Sequence, residues 1–251
     1  MDANIDIKLT KVNESFLHIQ TNPGIEKEIQ EAFSFKVPGY KYMPKYRQGI
    51  WDGSVNLYNR KNGSFPLGLL DSLLEFGKES GYQVELQGFN NQKNNVTYEQ
   101  IEKFGESLNI HAHGEKITLE PHQLDGIHYC IANKRALVVS PTSSGKSAII
   151  YTICRILQKK KILIVVPTTA LVEQMEGDFA DYSEFDDSWD SIDQVHKIYS
   201  GKEKDSKKPI YISTWQSIFR KSKDWFAQFD AVICDEAHGG KSASLTGVFE
   251  K

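Results

Sequence analysis

The spacing of apolar residues predicts a small mixed unit at the start of the chain, over residues 1–87. Residues 5–9 alternate between apolar and polar side chains, as expected for a half-buried strand. Residues 22–33 begin with an Asn-Pro helix-start signal and continue with apolar residues at helical spacing. A second amphipathic helix is indicated over 69–76 and a closing strand over 82–86. The pattern therefore predicts an α+β domain.

A polar stretch separates this unit from the rest of the chain. Residues 88–95 read GFNNQKNN and have no apolar period, which is typical of a linker. Residues 96–108 then favour a helix that has Thr97 as its N-cap and Ile101 and Phe104 on one face. We interpret residues 88–114 as a linker with a connecting helix.

From residue 115 onward, short continuous apolar runs alternate with helix-like segments. The runs cover 135–140, 161–166, 209–213 and 231–234, and the helical segments cover 147–157, 169–179 and 215–222. Continuous apolar strands that alternate with helices indicate a parallel sheet covered on both faces. The expected fold class is therefore α/β, preceded by the small α+β domain.

The stretch RALVVSPTSSGKS, from Arg135 to Ser147, has the order strand, small-residue loop and helix start. Unpaired N–H groups and the helix dipole make such a helix start favourable for phosphate. The spacing assigns the Lys146 amine to the β- and γ-phosphates and the Ser147 hydroxyl to Mg²⁺. Serines replace glycine at Ser140 and Ser143, and an ordinary strand-to-helix turn is the alternative. The predicted nucleotide-binding residues here are Thr142, Ser143, Ser144, Gly145, Lys146 and Ser147.

A second motif, DAVICDEAH, spans residues 230–238. Its apolar strand ends at two adjacent carboxylates, Asp235 and Glu236, at the edge where open parallel sheets bind ligands. Asp235 can hold Mg²⁺ through its water shell, and Glu236 can orient and deprotonate an attacking water. The alternative is an exposed acidic turn. With Lys146, these two residues are the predicted catalytic groups.

The net charge of −3 does not indicate a nucleic-acid binder, so any such partner requires a local basic patch. Residues 36–61 supply one, because six basic residues and several interleaved aromatic residues occur there with a single acid, Asp52. Basic groups neutralise phosphates and aromatic faces stack on unpaired bases. Solvated lysines and buried aromatics are the alternative. The predicted DNA contacts are Lys41, Lys45, Arg47, Arg60 and Lys61.

The remaining composition favours the cytoplasm. The longest apolar run, residues 162–166, is far too short to span a membrane, and the first residues lack a secretory pattern. The three cysteines have no disulfide or zinc spacing, which is typical of a reducing compartment.

Together, SPTSSGKS and DEAH resemble motifs I and II of superfamily 2 helicases and translocases. Residues 119–123, LEPHQ, resemble the upstream adenine-recognition segment of that family. Residues 166–171, VPTTAL, are similar to motif Ia, and residues 212–217, ISTWQS, resemble a later strand-end motif. The resemblance covers residues 119–251 in the family's order.

The resemblance implies that residues 115–251 form the first RecA-like ATP-binding domain of such a motor, in incomplete form. It implies that the Gln123 amide recognises adenine and that His238 couples the ATP site to the nucleic-acid site. The implied cofactors are ATP and Mg²⁺. It also implies that residues at two strand ends hold the backbone of one nucleic-acid strand. Such contacts position the nucleic acid but do not recognise its base sequence. These residues are Pro167, Thr168, Thr169 and Thr214.

The whole sequence resembles the N-terminal part of a phage recombination helicase of this superfamily. That implies ATP-driven remodelling of branched or forked DNA by single-strand tracking, including fork regression and branch migration, with residues 1–87 as the substrate-recognition domain. It also implies a monomer in the host cytoplasm, which works beside replication and recombination proteins and has no membrane partner. The family's second lobe, with its arginine fingers, is not found, so we expect nucleotide and DNA binding with little hydrolysis.

Three alternatives remain open at this point. One is an RNA helicase, because backbone contacts do not by themselves distinguish the 2′-hydroxyl. Another is a P-loop kinase or ATPase that acts on a small molecule. The third is a non-enzymatic nucleic-acid-binding module.

Overall fold

The computed structural model describes residues 5–13, 15–89, 94–133, 135–141, 143–199 and 205–237. The chain folds as two compact units, Met1–Gln92 and Lys93–Lys251. Within the described residues, no helix is both long enough and apolar enough to cross a membrane.

The first unit is an α+β domain, as predicted. Its elements are β1 (Ile7–Lys11), β2 (Phe16–Thr21), α1 (Pro23–Ala32), β3 (Ser34–Lys36), α2 (Pro44–Arg47), β4 (Ser54–Asn56), β5 (Ser64–Pro66), α3 (Leu70–Glu79) and β6 (Val84–Gln87). The main sheet has the order β5-β2-β1-β6, in which β1 is antiparallel to β2 and parallel to β6. The strands β3 and β4 form a separate antiparallel ribbon.

Alternation along β1 and β2 explains how this sheet acquires its core. Ile7 and Leu9 from β1 are buried with Leu17 and Ile19 from β2, in one cluster with apolar residues of α1 and α3. The helix α1 begins where the sequence predicts, because the Asn22 side chain accepts hydrogen bonds from the first N–H groups of the helix.

The second unit begins with α4 (Tyr98–Ser107), which forms a capping box with Thr97 as predicted. Its other elements are β7 (His111–Ala112), β8 (Glu115–Lys116), α5 (Pro121–Asn133), α6 (Lys146–Ile156), β9 (Ile162–Val166), α7 (Thr169–Tyr182), α8 (Ser191–Gln194), β10 (Val195–Ile198), β11 (Ile210–Thr214), α9 (Trp215–Ile218), α10 (Lys223–Phe226) and β12 (Ala231–Cys234). Ile101 of α4 belongs to the core of this unit. The function of residues 88–114 as a linker stays a prediction.

The main sheet of the second unit is parallel, with the order β10-β11-β9-β12. Every residue of β9 is buried, as expected for a strand covered on both faces. Alternate residues of β9 contribute to two different clusters, one that includes α5, α6 and α7 and one beside α9 and α10. The predicted α/β class is therefore confirmed.

The predicted strand over residues 135–140 is wrong. The described residues there form no strand, and Leu137 and Val139 are 75% and 91% exposed. A strand requires a neighbour that completes its hydrogen bonds, and among the described residues β12 pairs with β9 alone. Apolar composition indicates a strand, but the presence of a pairing partner is a tertiary property that the run of residues cannot supply. The predicted helix over 215–222 also differs, because it ends at Ile218.

Candidate nucleotide-binding site

The carboxyl ends of three parallel strands meet at one edge of the second unit's sheet. Pro167 follows β9, Trp215 follows β11 and Asp235 follows β12. These residues line one small cleft together with neighbours from β9 and β12 and with Glu236. Parallel strands bring their carboxyl ends to the same edge, which is where ligands bind in open α/β sheets.

The loop before α6 has two residues with left-handed backbone angles. Ser143 has φ +64° and Gly145 has φ +75°. The loop is held by its own hydroxyls, because Ser144 Oγ donates to the Pro141 carbonyl at 2.7 Å and also bonds the Ser140 hydroxyl. The serines that stand in place of glycine are therefore compatible with a tight, internally bonded loop.

Gln123 lies on α5 directly against this loop. Its Nε2 donates to the Ser144 carbonyl at 3.0 Å, and its Oε1 accepts from the Glu120 N–H at 2.8 Å. The His122 ring contacts the same Ser144 carbonyl at 3.1 Å. A methyl group added at Gly145 would lie 2.1 Å from Gln123 Nε2. The amide retains one N–H and one lone pair for a ligand such as adenine.

The first residue of α6 brings the two sequence motifs together. Lys146 Nζ lies 3.4 Å from Glu236 Oε1, and both side chains are about one-third exposed, at 29% and 35%. Among the described residues no side chain caps α6, and the Ala148 N–H already donates to the Gly145 carbonyl at 3.0 Å, so the N–H groups of Lys146 and Ser147 are the ones suited to an anion. The predicted residues Thr142 and His238 lie outside the described residues.

Asp235 is half-buried beside this ion pair. Its N–H continues the sheet by donating to the Val165 carbonyl at 2.9 Å, and its carboxylate accepts from the Glu236 N–H at 3.0 Å. Burial raises the pKa of Asp235 and the charge of Glu236 raises it further, against the effects of that hydrogen bond and of Lys146. A bound cation would relieve this cost, so the half-buried Asp235 carboxylate fits Mg²⁺, which proteins bind through one or two carboxylates beside phosphates.

Ser147, the second residue of α6, faces the end of α7. The pKa of the Tyr182 hydroxyl is raised to about 12, chiefly by burial and also by the charges of Asp178 and Asp181, while a hydrogen bond from Ser147 opposes the rise. The Tyr182 ring also lies edge-on to the Tyr151 ring, with 5.5 Å between the centroids. No local motif in the sequence marks Tyr182, because it contacts the start of α6 from another helix.

The next site residues predicted from the sequence lie at the junction of β9 and α7. The Thr168 hydroxyl caps α7 by accepting from the Leu171 N–H at 3.3 Å. The Pro167 carbonyl accepts from Gln216 Nε2 at 3.3 Å, which joins this junction to α9. Thr169 is exposed as the first residue of α7.

The remaining predicted nucleic-acid contacts are one threonine of β11 and the five basic residues of the first unit. Thr214 is only 4% exposed, and its hydroxyl is hydrogen bonded to that of Ser217 at 2.9 Å. Arg60 forms an ion pair with Glu26 at 3.3 Å, so part of its charge is compensated. The predicted basic contacts are all exposed: Lys41, Lys45, Arg47, Arg60 and Lys61.

Comparisons with known proteins agree with the division of the chain into two units. The family model "Type III restriction enzyme, res subunit" matches residues 90–251, and the model "DNA helicase UvsW, N-terminal" matches residues 6–87. The chain is similar to the ATP-dependent DNA helicase uvsW of Enterobacteria phage T4, with 33% identity over 255 residues, 97% of this chain and 49% of that protein. It is also 32% identical to the DNA 3′-5′ translocase XPB2 of Sulfurisphaera tokodaii over 124 residues, 49% of this chain and 26% of that protein.

Solved structures of the T4 helicase also match this chain. A crystal structure of the UvsW helicase from bacteriophage T4 matches with a TM-score of 0.82 and 30% identity, over 98% of this chain and 88% of that one. A second T4 UvsW structure matches with a TM-score of 0.84 and 30% identity, over 98% of this chain and 50% of that one. The chain spans about half the length of the T4 relative and about a quarter of the translocase.

Proposed function

This chain belongs to the family of UvsW-type helicases, and from that membership we propose that it is the ATP-binding and DNA-recognising part of a motor that remodels branched DNA. The proposal includes fork regression and branch migration in recombination and repair. It rests most on one observation, the 3.4 Å distance between Lys146 Nζ and Glu236 Oε1, which joins two motifs far apart in the sequence.

The proposed roles at the ATP site follow from the chemistry of each side chain. Lys146 and the first turn of α6 would hold the β- and γ-phosphates, with the surrounding loop residues and Gln123 completing the nucleotide site. Ser147 and Asp235 would hold Mg²⁺, which supplies charge stabilisation for the transferred phosphoryl group. When the Lys146 amine turns to the phosphates, the Glu236 carboxylate would lose this ion pair and would orient and deprotonate water.

The proposed DNA contacts lie at the same sheet edge, on the side of α7 and α9. Exposed Thr169, the α7 cap Thr168 and Pro167 would position the backbone of one strand, with buried Thr214 supporting them and His238 coupling the site to ATP. The exposed basic residues of the first unit would contact the phosphates of the branched substrate. The names of the relatives, a DNA helicase and a DNA translocase, favour DNA over RNA and over a small-molecule substrate.

The phage origin of the T4 relative supports the remaining parts of the proposal. We place the activity in the cytoplasm of an infected cell, as a monomer that works beside replication and recombination proteins. This chain by itself would bind nucleotide and DNA with little hydrolysis, because related motors need an arginine finger that stabilises the transition state.

The decisive experiment measures ATP hydrolysis by the full-length protein with single-stranded, duplex and forked DNA. Forked DNA is expected to stimulate turnover, and Lys146→Ala and Glu236→Gln are each expected to lower it by a factor of about 10² to 10⁴ while the protein stays folded. Glu184→Gln, which removes an exposed carboxylate elsewhere in the same unit, is the matched control. Stimulation by a metabolite instead of DNA, or normal turnover in either variant, would refute the proposal.

A further inference from the structure

Several large apolar side chains of the first unit are exposed close together in sequence. Tyr42 and Ile50 are 77% and 72% exposed, and Met43 is also exposed. They flank the single turn of α2, because Met43 precedes it and the Ile50 N–H donates to the Lys45 carbonyl just after it. Single exposed apolar residues are ordinary, but several within one short loop mark an interaction surface.

This surface belongs to a well-formed loop, residues 37–53, which connects β3 to β4. The Val37 N–H donates to the Gly53 carbonyl at 2.9 Å, and Lys36 pairs with Asp52 at 3.5 Å, so the two ends of the 37–53 loop are held together. The Tyr40 ring packs against Gly53, where φ is +85° and an added methyl group would lie 2.2 Å from the ring. The exposed side chains are therefore presented by a closed loop, as is common for functional Ω-type loops.

The structure separates the aromatic residues of this segment into packed and available ones. Tyr40 lies edge-on to Tyr46, with 4.8 Å between ring centroids, and the Trp51 indole N–H donates to the Ser54 carbonyl. Tyr58 is buried in the domain core. Of the aromatic side chains within the 37–53 loop, Tyr42 has by far the most exposed ring.

Basic side chains lie beside and between the exposed apolar residues along the chain. Lys41 adjoins Tyr42, and Lys45 and Arg47 lie on α2 between Met43 and Ile50. Within the described residues, none of these three basic side chains has an ion-pair partner, whereas the one acid of the loop, Asp52, is already paired with Lys36. The 37–53 loop therefore presents exposed apolar side chains that alternate along the chain with basic ones.

We propose that Tyr42, Met43 and Ile50 pack against the exposed base pair at a DNA branch point, while Lys41, Lys45 and Arg47 hold the flanking phosphates. The backbone of an uninterrupted duplex offers charge but no apolar face, whereas a branch point exposes both a base-pair face and phosphates. Apolar side chains inserted at base steps are an established way to open or kink a duplex, and aromatic rings stack on bases of any sequence. This inference rests on the proposed function and assigns branch-point selection to the 37–53 loop.

The test compares binding of this chain, without ATP, to a forked DNA and to a duplex of the same sequence whose two ends are closed by loops, so that the duplex exposes no terminal base-pair face. The double variant Tyr42→Ser/Ile50→Ser is expected to lose about tenfold or more in affinity for the fork and little for the duplex. A 2-aminopurine at the first paired position of the fork should change in fluorescence with the wild type and not with the variant. The control is Ile192→Ser, which removes an equally exposed apolar side chain from the second unit.

A second variant separates apolar from ionic contacts. Lys41→Glu/Lys45→Glu should weaken binding to both DNAs and reduce its salt dependence, because phosphate contacts release counterions. Thermal unfolding should be unchanged in every variant, since all the substituted side chains are exposed.

The failure of this inference is distinguishable from the failure of the proposed function. Fork affinity and 2-aminopurine signal that survive Tyr42→Ser/Ile50→Ser would overturn the branch-point assignment and leave the ATP-driven function intact. Loss of binding to a replication or recombination protein, with fork binding unchanged, would also overturn it in favour of protein docking. If the wild-type chain binds neither DNA and DNA does not stimulate the full-length ATPase, both the branch-point assignment and the proposed function are refuted.

Discussion

At the scale of single residues, Gly145 is a position of the candidate site with little freedom to change. Its φ of +75° is in the left-handed region, and its α-carbon faces Gln123 so closely that a methyl group would lie 2.1 Å from the amide nitrogen. Backbone angle and space therefore both require glycine here. The Gly-Lys-Ser spacing in the sequence indicates the same residue for a different reason, the approach of phosphate.

Gly145→Ala should therefore disrupt the loop. We expect a loss of about 1–3 kcal/mol in the free energy of unfolding, because a strained left-handed angle adds to the clash with Gln123. Affinity for a fluorescent ATP analogue should fall in parallel. Gly177→Ala is the control, since no atom lies within 4 Å of the added methyl group. Equal stability of the two variants by urea titration would contradict this account.

The charge of Asp235, a residue of the candidate site, lowers the stability of the folded state. Because burial beside Glu236 raises its pKa, the folded state holds the proton more tightly than the unfolded state does. Stability therefore falls as the pH rises from the ordinary aspartate value through the raised one, and the full cost is present at neutral pH. Carboxylates that bind cations are expected to carry such a cost when the cation is absent.

Asp235→Asn should accordingly raise the melting temperature at pH 7.5, by about 1–4 °C, while abolishing ATP hydrolysis by the full-length protein. The gain should vanish near pH 3, where both states of the wild type are protonated. Mg²⁺ with an ATP analogue should stabilise the wild type more than the variant. A lower melting temperature for the variant at pH 7.5 would show that the carboxylate is instead stabilised by its neighbours.

At the scale of elements, α6 is anchored by one face. Ser147, Tyr151 and Arg155 recur at a spacing of four and all contact α7 or the segment after it. Arg155 is buried, with Nη1 2.7 Å from Asp186 Oδ2 and 2.6 Å from the Tyr151 hydroxyl. Burial alone would raise the pKa of Asp186, but hydrogen bonds from Ser188 and Arg155 outweigh it and hold the pKa below its ordinary value.

Breaking this buried pair should loosen the helix that carries Lys146. Arg155→Met is expected to cost about 3–5 kcal/mol of unfolding free energy at pH 7, because it leaves the Asp186 charge without its cationic partner. The cost should shrink as the pH falls through the low pKa of Asp186, since the stabilisation from its charge is lost there.

A double-mutant cycle checks the coupling. Arg155→Met/Asp186→Asn should be more stable than the sum of the two single changes implies, as measured by urea unfolding. Strict additivity would show that the Arg155 side chain acts through packing on Trp189, which it covers at 5.0 Å, and not through the ion pair.

The observed strands and helices also show which sequence signals are sufficient to predict an element. The β9 strand was predicted and is fully buried, because a run of β-branched and aliphatic residues lies between two parallel neighbours. The equally apolar run at 137–139 forms no strand among the described residues, although its composition is almost the same. Helix starts were predicted more accurately, since Asn22 and Thr97 act through hydrogen bonds to residues next to them in the chain.

At the scale of the whole molecule, the chain has one unit that carries the candidate nucleotide site and one unit that carries a basic, partly apolar loop. We expect this chain alone to bind an ATP analogue and forked DNA, with DNA-stimulated turnover lower than that of the full-length protein by a factor of about 10³ to 10⁵. Steady-state hydrolysis by both proteins, with Lys146→Ala as the background, measures the difference. Comparable rates would show that the chain contains all the groups that the transition state needs.

The sequence by itself determined the features that depend on neighbouring residues or on chemistry at fixed spacing. These include the helix caps at Asn22 and Thr97, the buried strand β9 and the order of the predicted phosphate-loop and carboxylate motifs, because caps, periodicity and motif spacing act within a few residues. Only the tertiary structure decided which distant groups meet. It placed Lys146 beside Glu236 and Gln123 against Gly145, formed no strand from the described residues before the loop, and left Tyr42 and Ile50 as the most exposed large apolar side chains of the 37–53 loop. Such contacts depend on strand pairing and packing between segments far apart in the chain, and no local pattern encodes them.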